Sequence, residues 1–231
     1  MMYIILPTLL LLCWFTIYLS EKRNIFHQWL LPARLRGSEF LLGLIFSIAL
    51  CLLTQFFLSQ LGDRTWHLSN DISIGKLTFS LLYDFNSVVS EELLFRGSIL
   101  YFLIKYWKTG PAVLISASVF GIYHWFSFGV WGNLAAMILV FVVTGLMGYV
   151  FAVAYVKTKS IILPIAIHLG WNWINNTVFS NGPNGTKLLE ADKTVPLEGL
   201  NAIFSLGIYL IIPFLILAFI KSKIIKEREL A

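Results

Sequence analysis

Polar side chains whose types suit proton transfer lie within apolar stretches of this 231-residue sequence. They comprise two adjacent carboxylates, a guanidinium, two imidazoles and an amide: Glu91, Glu92, Arg96, His124, His168 and Asn172. Carboxylates and imidazoles are the common general acids and bases of enzymes, and an amide N–H can stabilise a developing negative charge. The set therefore predicts chemistry on a water molecule, a proton or a metal ion.

The composition indicates that these residues are carried by a membrane protein. Hydrophobic residues make up 58% of the chain and charged residues only 13%, whereas a soluble domain has about 25% charged residues. This excludes a soluble enzyme, a nucleic-acid-binding protein and a secreted disulfide scaffold, despite a net charge of +5. Cys13 and Cys51 lie in apolar runs without disulfide or zinc-site spacing, which predicts buried packing residues.

Apolar segments long enough to cross a bilayer occur seven times, since a spanning helix needs about 20 residues. They cover approximately 2–20, 40–61, 74–104, 111–128, 131–156, 160–178 and 199–220. The sequence therefore predicts an all-α fold, a polytopic membrane bundle of about seven transmembrane helices. Residues 1–231 are expected to form a single membrane domain.

Basic residues concentrate in alternate connections between these spans, which predicts the orientation of the chain. One side receives only Arg64, Lys187 and Lys193, with Lys76 near its boundary. The other side receives twelve: Lys22, Arg23, Arg34, Arg36, Lys105, Lys108, Lys157, Lys159, Lys221, Lys223, Lys226 and Arg228. We therefore expect a multi-pass protein of the plasma membrane with a cytoplasmic C-terminus.

The third span is unusual because it contains Asp84, Glu91, Glu92 and Arg96. Each charged residue costs about 2.5–3.5 kcal/mol at the centre of an inserted helix, so these side chains must face protein or water. An ion pair between Glu92 and Arg96, one turn apart, would account for two charges and leave Glu91. Counted along their helices, Glu91, His124 and His168 lie at overlapping depths, which permits one shared cavity.

Three motifs in these spans resemble those of a known family. Residues 91–97, EELLFRG, are similar to its E-E-x-x-x-R motif, residues 120–124, FGIYH, to its F-x-x-x-H motif, and residues 168–172, HLGWN, to its H-x-x-x-N motif. The family is that of the CAAX prenyl endopeptidases and bacteriocin-processing proteins, also called the CPBP or Abi family of intramembrane proteases. The resemblance covers about residues 80–178, which we expect to form the catalytic core.

The resemblance implies hydrolysis of a peptide bond by a glutamate-activated water within the membrane. Glu91 would then be the general base and His124 its partner in positioning the water, while His168 and Asn172 would donate to the oxyanion. Glu92 would pair with Arg96. The choice of the first glutamate follows the family, because from the residues alone the two glutamates can exchange roles. No cofactor is expected.

Alternative functions use the same residues. Glu91, His124 and His168 are also a possible zinc set, although H-E-x-x-H is absent from the sequence. A non-catalytic peptide-binding protein conferring bacteriocin self-immunity is a second alternative, and a proton-coupled transporter is a third. The expected partners are a peptide or membrane-protein substrate and the lipid bilayer, with no nucleic acid. We expect the substrate to enter from the cytoplasmic side.

Overall fold

The computed structural model describes residues 2–22, 24–179, 187–192 and 197–228. They form an all-α bundle, as predicted. The helices in chain order are α1 (Met2–Glu21), α2 (Ile25–Leu30), α3 (Ala33–Leu61), α4 (Ile74–Glu92), α5 (Tyr101–Tyr106), α6 (Thr109–Ser127), α7 (Leu134–Thr158), α8 (Ile162–Trp173) and α9 (Gly199–Lys221). Two π-helical segments, Leu93–Leu100 and Ile174–Val178, continue α4 into α5 and extend α8.

The helices other than α2 coincide with the seven apolar segments of the sequence, and α2 lies between the first and second segments. Three of them, α3, α7 and α9, are long and apolar enough to cross a membrane by length and composition. The third predicted span is the continuous rod of α4, the first π-helical segment and α5, and the sixth is α8 with its π-helical extension. Wider turns of this kind are frequent at functional sites; the first of these contains Arg96 of the first motif, and the second begins two residues after Asn172 of the third.

Helix α8 is at the centre of the bundle, where residues 163–170 are all buried. It packs closely against α3 because glycines remove side chains at two contact points. A Cβ on Gly43 would lie 2.9 Å from Leu163 Cδ1, and one on Gly170 would overlap the Ser47 hydroxyl. The close approach of these backbones fixes the position of His168 within the bundle.

Helix α4 presents a polar face to α8. Its buried positions include Ser80, Asp84, Val88 and Glu92, which are spaced by four residues and so share one face. Three of these side chains have polar partners on α8 or its π-helical extension: Ser80 bonds Thr177, Asp84 bonds Asn176 and Glu92 bonds His168. The antiparallel series of hydrogen bonds joins the two helices that carry the first and third motifs.

The bundle has two distinct ends. At one end, which carries most of the basic residues, Arg36 donates to the Thr158 carbonyl and Lys157 donates to the Ile220 carbonyl. At the other end a short antiparallel ribbon pairs β1 (Trp66–Leu68) with β2 (Leu189–Ala191). The sequence did not predict this ribbon, because strands of three residues carry almost no periodic signal. We call these the basic end and the ribbon end.

The contact between α3 and α8 provides a test of the packing. We expect Gly170→Ala to lower the free energy of unfolding by about 1–3 kcal/mol, as overpacking of a core does, because the new Cβ would lie 2.9 Å from the Leu44 carbonyl oxygen. Unfolding in mixed micelles measures the change.

Gly145→Ala is the matched control on α7, where the nearest atom to a Cβ would be the Ala117 oxygen at 3.7 Å. The free energy of unfolding should therefore be lower for Gly170→Ala than for Gly145→Ala. Equal stability of both would contradict the close packing of α3 on α8.

Candidate active site

A cavity of about 750 Å³ lies between α4, α6, α7, α8 and α9. Among its lining residues are four predicted from the sequence: Glu91, His124, His168 and Asn172. These come from three separate helices, so the fold brings the three motifs together around one space. Glu92 and Arg96 lie behind this wall and are fully buried.

Glu92 joins the first motif to the third. Its Oε1 accepts hydrogen bonds from Arg96 Nη1 at 3.0 Å and from His168 Nδ1 at 2.9 Å. The ion pair with Arg96 expected from the sequence is therefore present, and the imidazole contact is an addition to it. Charge-assisted hydrogen bonds of this kind are about twice as strong as neutral ones, so Glu92 holds both partners firmly.

Arg96 is fully buried and is held by further contacts. Its Nη2 donates to the Gly148 carbonyl on α7 at 3.1 Å. Its guanidinium also lies 4.5 Å from the centre of the Phe120 ring and 5.1 Å from that of Phe151. These cation–π contacts and the hydrogen bond connect α4 to α6 and α7, so Arg96 positions the helices that surround the cavity.

Glu91 faces the cavity and not the ion pair. Its side chain is 14% exposed, its Oε1 accepts a long hydrogen bond of 3.4 Å from Ser87, and its Oε2 lies 4.0 Å from His124 Nε2. Oε2 is buried and has no hydrogen-bond partner among the described residues. A separation of 4.0 Å is too long for a direct hydrogen bond, but it suits two groups that share a water molecule.

The hydrogen bonds of the two imidazoles assign their protons. His124 Nδ1 lies 2.8 Å from the Phe120 carbonyl oxygen, which can only accept, so Nδ1 carries hydrogen. The Nε2 of a neutral His124 is then an acceptor that faces Glu91. By the same argument His168 Nδ1 donates to Glu92, and its ring stacks on Phe151 with centroids 4.7 Å apart. The second nitrogen of His168, Nε2, carries hydrogen only if the ring is an imidazolium.

The cavity has further polar residues that the motifs do not include. Asn175 and Asn176, on the π-helical extension of α8, line it together with Asp84 and Ser87. Asp84 lies two helical turns before Glu91, so the two carboxylates lie on nearly the same face of α4, and both line the cavity. Two adjacent asparagines at the end of an apolar span are a feature that could have been noticed in the sequence, although none of the three motifs includes them.

The cavity lies towards the ribbon end of the bundle. It extends to Ser127 and Phe128, where α6 ends, and both residues are exposed. On the opposite side its deepest lining residues are Phe151 and His168, in front of the buried Glu92. The expected cytoplasmic C-terminus places the basic end in the cytoplasm. Because the cavity lies towards the other end, this orientation is incompatible with the expected entry of substrate from the cytoplasm.

A metal site requires several ligands at one point. Within the described ranges of the chain, no three His, Cys, Asp or Glu side chains are grouped so that they could hold a metal ion. Glu91, His124 and His168 line the same cavity, with the Glu91 carboxylate 4.0 Å from His124 Nε2 and with His168 Nδ1 on Glu92, which leaves His168 Nε2 towards the cavity. A zinc site formed by these three side chains stays a prediction from the sequence.

Comparison with known proteins finds a family match for the central part of the chain. Residues 73–174 match the model of the type II CAAX prenyl endopeptidase Rce1-like family, and this range contains all three motifs and α4 to α8. No match was found among curated proteins or among solved structures. The matched family is one of proteases that act in membranes on a peptide substrate, and the match supports the resemblance of residues 73–174 to the CPBP family of intramembrane proteases.

Proposed function

We propose that this chain is an endopeptidase that hydrolyses a peptide bond within the membrane by means of a water activated by Glu91. One observation carries the proposal: Glu92 is bound by Arg96 and His168, while the adjacent Glu91 faces the cavity with its Oε2 4.0 Å from His124 Nε2. The two glutamates therefore have different environments, and of the two it is Glu91 that lines the cavity.

The attacking water would lie between Glu91 and His124. It would donate one hydrogen to Glu91 Oε2 and the other to His124 Nε2, which accepts because Nδ1 already donates to Phe120. Both lone pairs of the water oxygen then remain for the substrate carbonyl carbon. Holding the water at two points removes the orientational freedom that slows hydrolysis in solution.

Proton transfer follows from this arrangement. As the water oxygen bonds to the carbonyl carbon, Glu91 takes the proton from the water and becomes a carboxylic acid. It then gives the proton to the amide nitrogen, the C–N bond breaks, and an amine and a new carboxyl group leave. Glu91 returns to its carboxylate form, so the cycle needs no further reactant.

The oxyanion of the tetrahedral intermediate would receive hydrogen bonds from His168 and Asn172. The Asn172 amide can donate directly, whereas His168 Nε2 donates only when the ring is protonated, since Nδ1 already carries a hydrogen directed at Glu92. A protonated His168 would also balance the charges of two carboxylates and one guanidinium. Glu92 then stabilises an imidazolium as the aspartate does in a catalytic triad.

The substrate of this reaction would be a peptide or a membrane protein, and the reaction would take place within the lipid bilayer. The excess of basic residues at one end favours placing that end in the cytoplasm, in the plasma membrane. The cavity would then receive its substrate from the ribbon end, outside the cytoplasm. We propose this orientation in place of cytoplasmic entry.

Replacement of each glutamate tests their division of roles. We expect Glu91→Gln to abolish cleavage with little change in stability, because Glu91 makes only one long hydrogen bond. Glu92→Gln should lower the free energy of unfolding by about 3–5 kcal/mol, since it leaves a buried guanidinium unpaired. Cleavage is measured by comparing membrane peptides from cells carrying each variant, and stability by unfolding of the purified proteins.

Glu190→Gln is the control for both, because Glu190 lies on the ribbon outside the cavity. Full activity of the Glu91→Gln variant would exclude Glu91 as the general base. A chain that protects cells from a peptide toxin by binding alone would keep its protection in this variant, which separates the immunity function from proteolysis.

The mechanism uses no metal ion, and a purified sample tests this directly. We expect elemental analysis to find less than about one zinc per ten chains and cleavage to persist in a chelator, because water is held by protein groups alone. Stoichiometric zinc that is lost together with activity, and restored with it, would instead support the zinc alternative.

Labelling of introduced cysteines tests the orientation. Asn70→Cys at the ribbon end should react with a membrane-impermeant thiol reagent in intact cells, and Gly110→Cys at the start of α6 should react only after permeabilisation. Both positions are exposed, and the native Cys13 and Cys51 are buried. The reverse pattern would place the cavity mouth on the cytoplasmic side.

A further inference from the structure

A chain of hydrogen-bonded side chains runs along one wall of the cavity. Gln55 Nε2 on α3 donates to Asn175 Oδ1 at 3.0 Å, Asn175 Nδ2 donates to Asn176 Oδ1 at 3.3 Å, and Asn176 Nδ2 donates to Asp84 Oδ1 at 2.9 Å. The direction is set at its end, because a carboxylate can only accept from Asn176. The orientation of the Asn176 amide is therefore fixed by Asp84.

Asn176 has capacity for a ligand. Its amide has two N–H groups and two lone pairs, of which Asp84 takes one N–H and Asn175 occupies one lone pair. One donor and one acceptor remain on a side chain that lines the cavity. A peptide group has the complementary set of one N–H and one C=O.

The wall formed by α7 and α9 has a different character. Its residues are mostly apolar, namely Val143, Met147, Phe151 and Ile212, with Thr144 and Tyr209 adding two hydroxyls, and no Lys or Arg is present among the residues that line the cavity in the described chain. An extended peptide places successive side chains on opposite sides and its backbone groups along its edges. The cavity thus offers amides to a main chain and an apolar surface to its side chains.

The position of Asn176 relative to the reaction can be read from the helix. Asn176 follows Asn172 by four residues, which is at most about 6 Å along the axis, because 1.5 Å per residue is the α-helical rise and the π-helical segment that carries Asn176 rises less. An extended peptide rises about 3.3 Å per residue, so this distance corresponds to about two residues of substrate. The oxyanion site and Asn176 therefore fit peptide groups about two residues apart.

We infer that Asn176, positioned by Asp84, is a binding residue for the main chain of an extended peptide substrate, about two residues from the bond that is cleaved. The inference rests on the proposed function and adds that the substrate is bound through its main chain in an extended conformation. Recognition by the main chain makes this subsite tolerant of side-chain identity, while the apolar wall favours apolar side chains. The substrate segment is accordingly extended and not helical where it enters the cavity.

Ester substitution in a probe peptide tests this contact. The probe is a fluorescence-quenched twelve-residue peptide of Leu, Ala and Ser, with its cleavage site mapped by mass spectrometry, and a series in which one main-chain N–H at a time is replaced by an ester oxygen. With the native protein in lipid vesicles, we expect one ester about two residues from the cleaved bond to lower kcat/KM by about three- to tenfold, as loss of one hydrogen bond does.

The Asn176→Ala variant should lower kcat/KM for the all-amide peptide by a similar factor and abolish the effect of that ester. Asp84→Asn should weaken the ester effect, since an amide at position 84 can donate as well as accept and so no longer fixes the orientation of the Asn176 amide. The matched control is Asn201→Ala, which removes an asparagine that bonds the Leu61 carbonyl outside the cavity, and it should retain the full ester effect. Asn176→Ser serves as a second variant if Asn176→Ala does not fold.

The outcomes separate the two proposals. Cleavage that depends on Glu91 but shows no ester effect, or an ester effect that persists in both Asn176 variants, overturns the main-chain contact and leaves the proposed function in place. If native protein cleaves no member of the series while Glu91→Gln leaves membrane peptides of cells unchanged, the proposed function fails and the main-chain contact fails with it.

Discussion

The buried carboxylate of Glu92 is the interaction on which the site depends. It is fully enclosed, and it accepts from a guanidinium on its own helix rod and from an imidazole on α8. In a low-dielectric interior an unpaired charge would be costly, so Glu92, Arg96 and His168 stabilise one another only as a set. Because Arg96 also binds the Gly148 carbonyl, this set fixes α4, α7 and α8 relative to each other. The adjacent Glu91 is thereby turned into the cavity, where its carboxylate has a different partner and a different task.

Much of this arrangement could be predicted from the sequence. The seven apolar segments indicated the helices, because a bilayer imposes a length that is easily read. The cost of charge within lipid indicated that Glu91, Glu92 and Arg96 face protein, and the spacing of four residues between Glu92 and Arg96 predicted their ion pair. The three motifs indicated a CPBP family protease, and the family comparison confirmed this over residues 73–174.

The remainder depends on features without a sequence signal. Glu92 also accepts a hydrogen bond from His168. This contact arises from the packing of α8 against α4, which is a tertiary property. Asn175 and Asn176 lie at a helical spacing that places them on the same face as Asn172, but the third motif ends at Asn172, so the motifs did not mark them as cavity residues. The sequence also could not predict the end of the bundle at which the cavity opens. The depth of a residue along its own helix does not show where an opening between helices lies.

The most direct measurement of the central claim is a single turnover in water labelled with ¹⁸O. If Glu91 activates water without forming a bond to the substrate, one labelled oxygen will enter the new carboxyl group of the product, and mass spectrometry of the enzyme peptide that contains Glu91 will find no label. If Glu91 instead attacks the carbonyl carbon, the amine leaves and a mixed anhydride forms, and its hydrolysis at the Glu91 carbonyl will leave the first product unlabelled and the label in the Glu91 carboxylate. That second result would contradict the account, since it would make Glu91 a nucleophile and not a base.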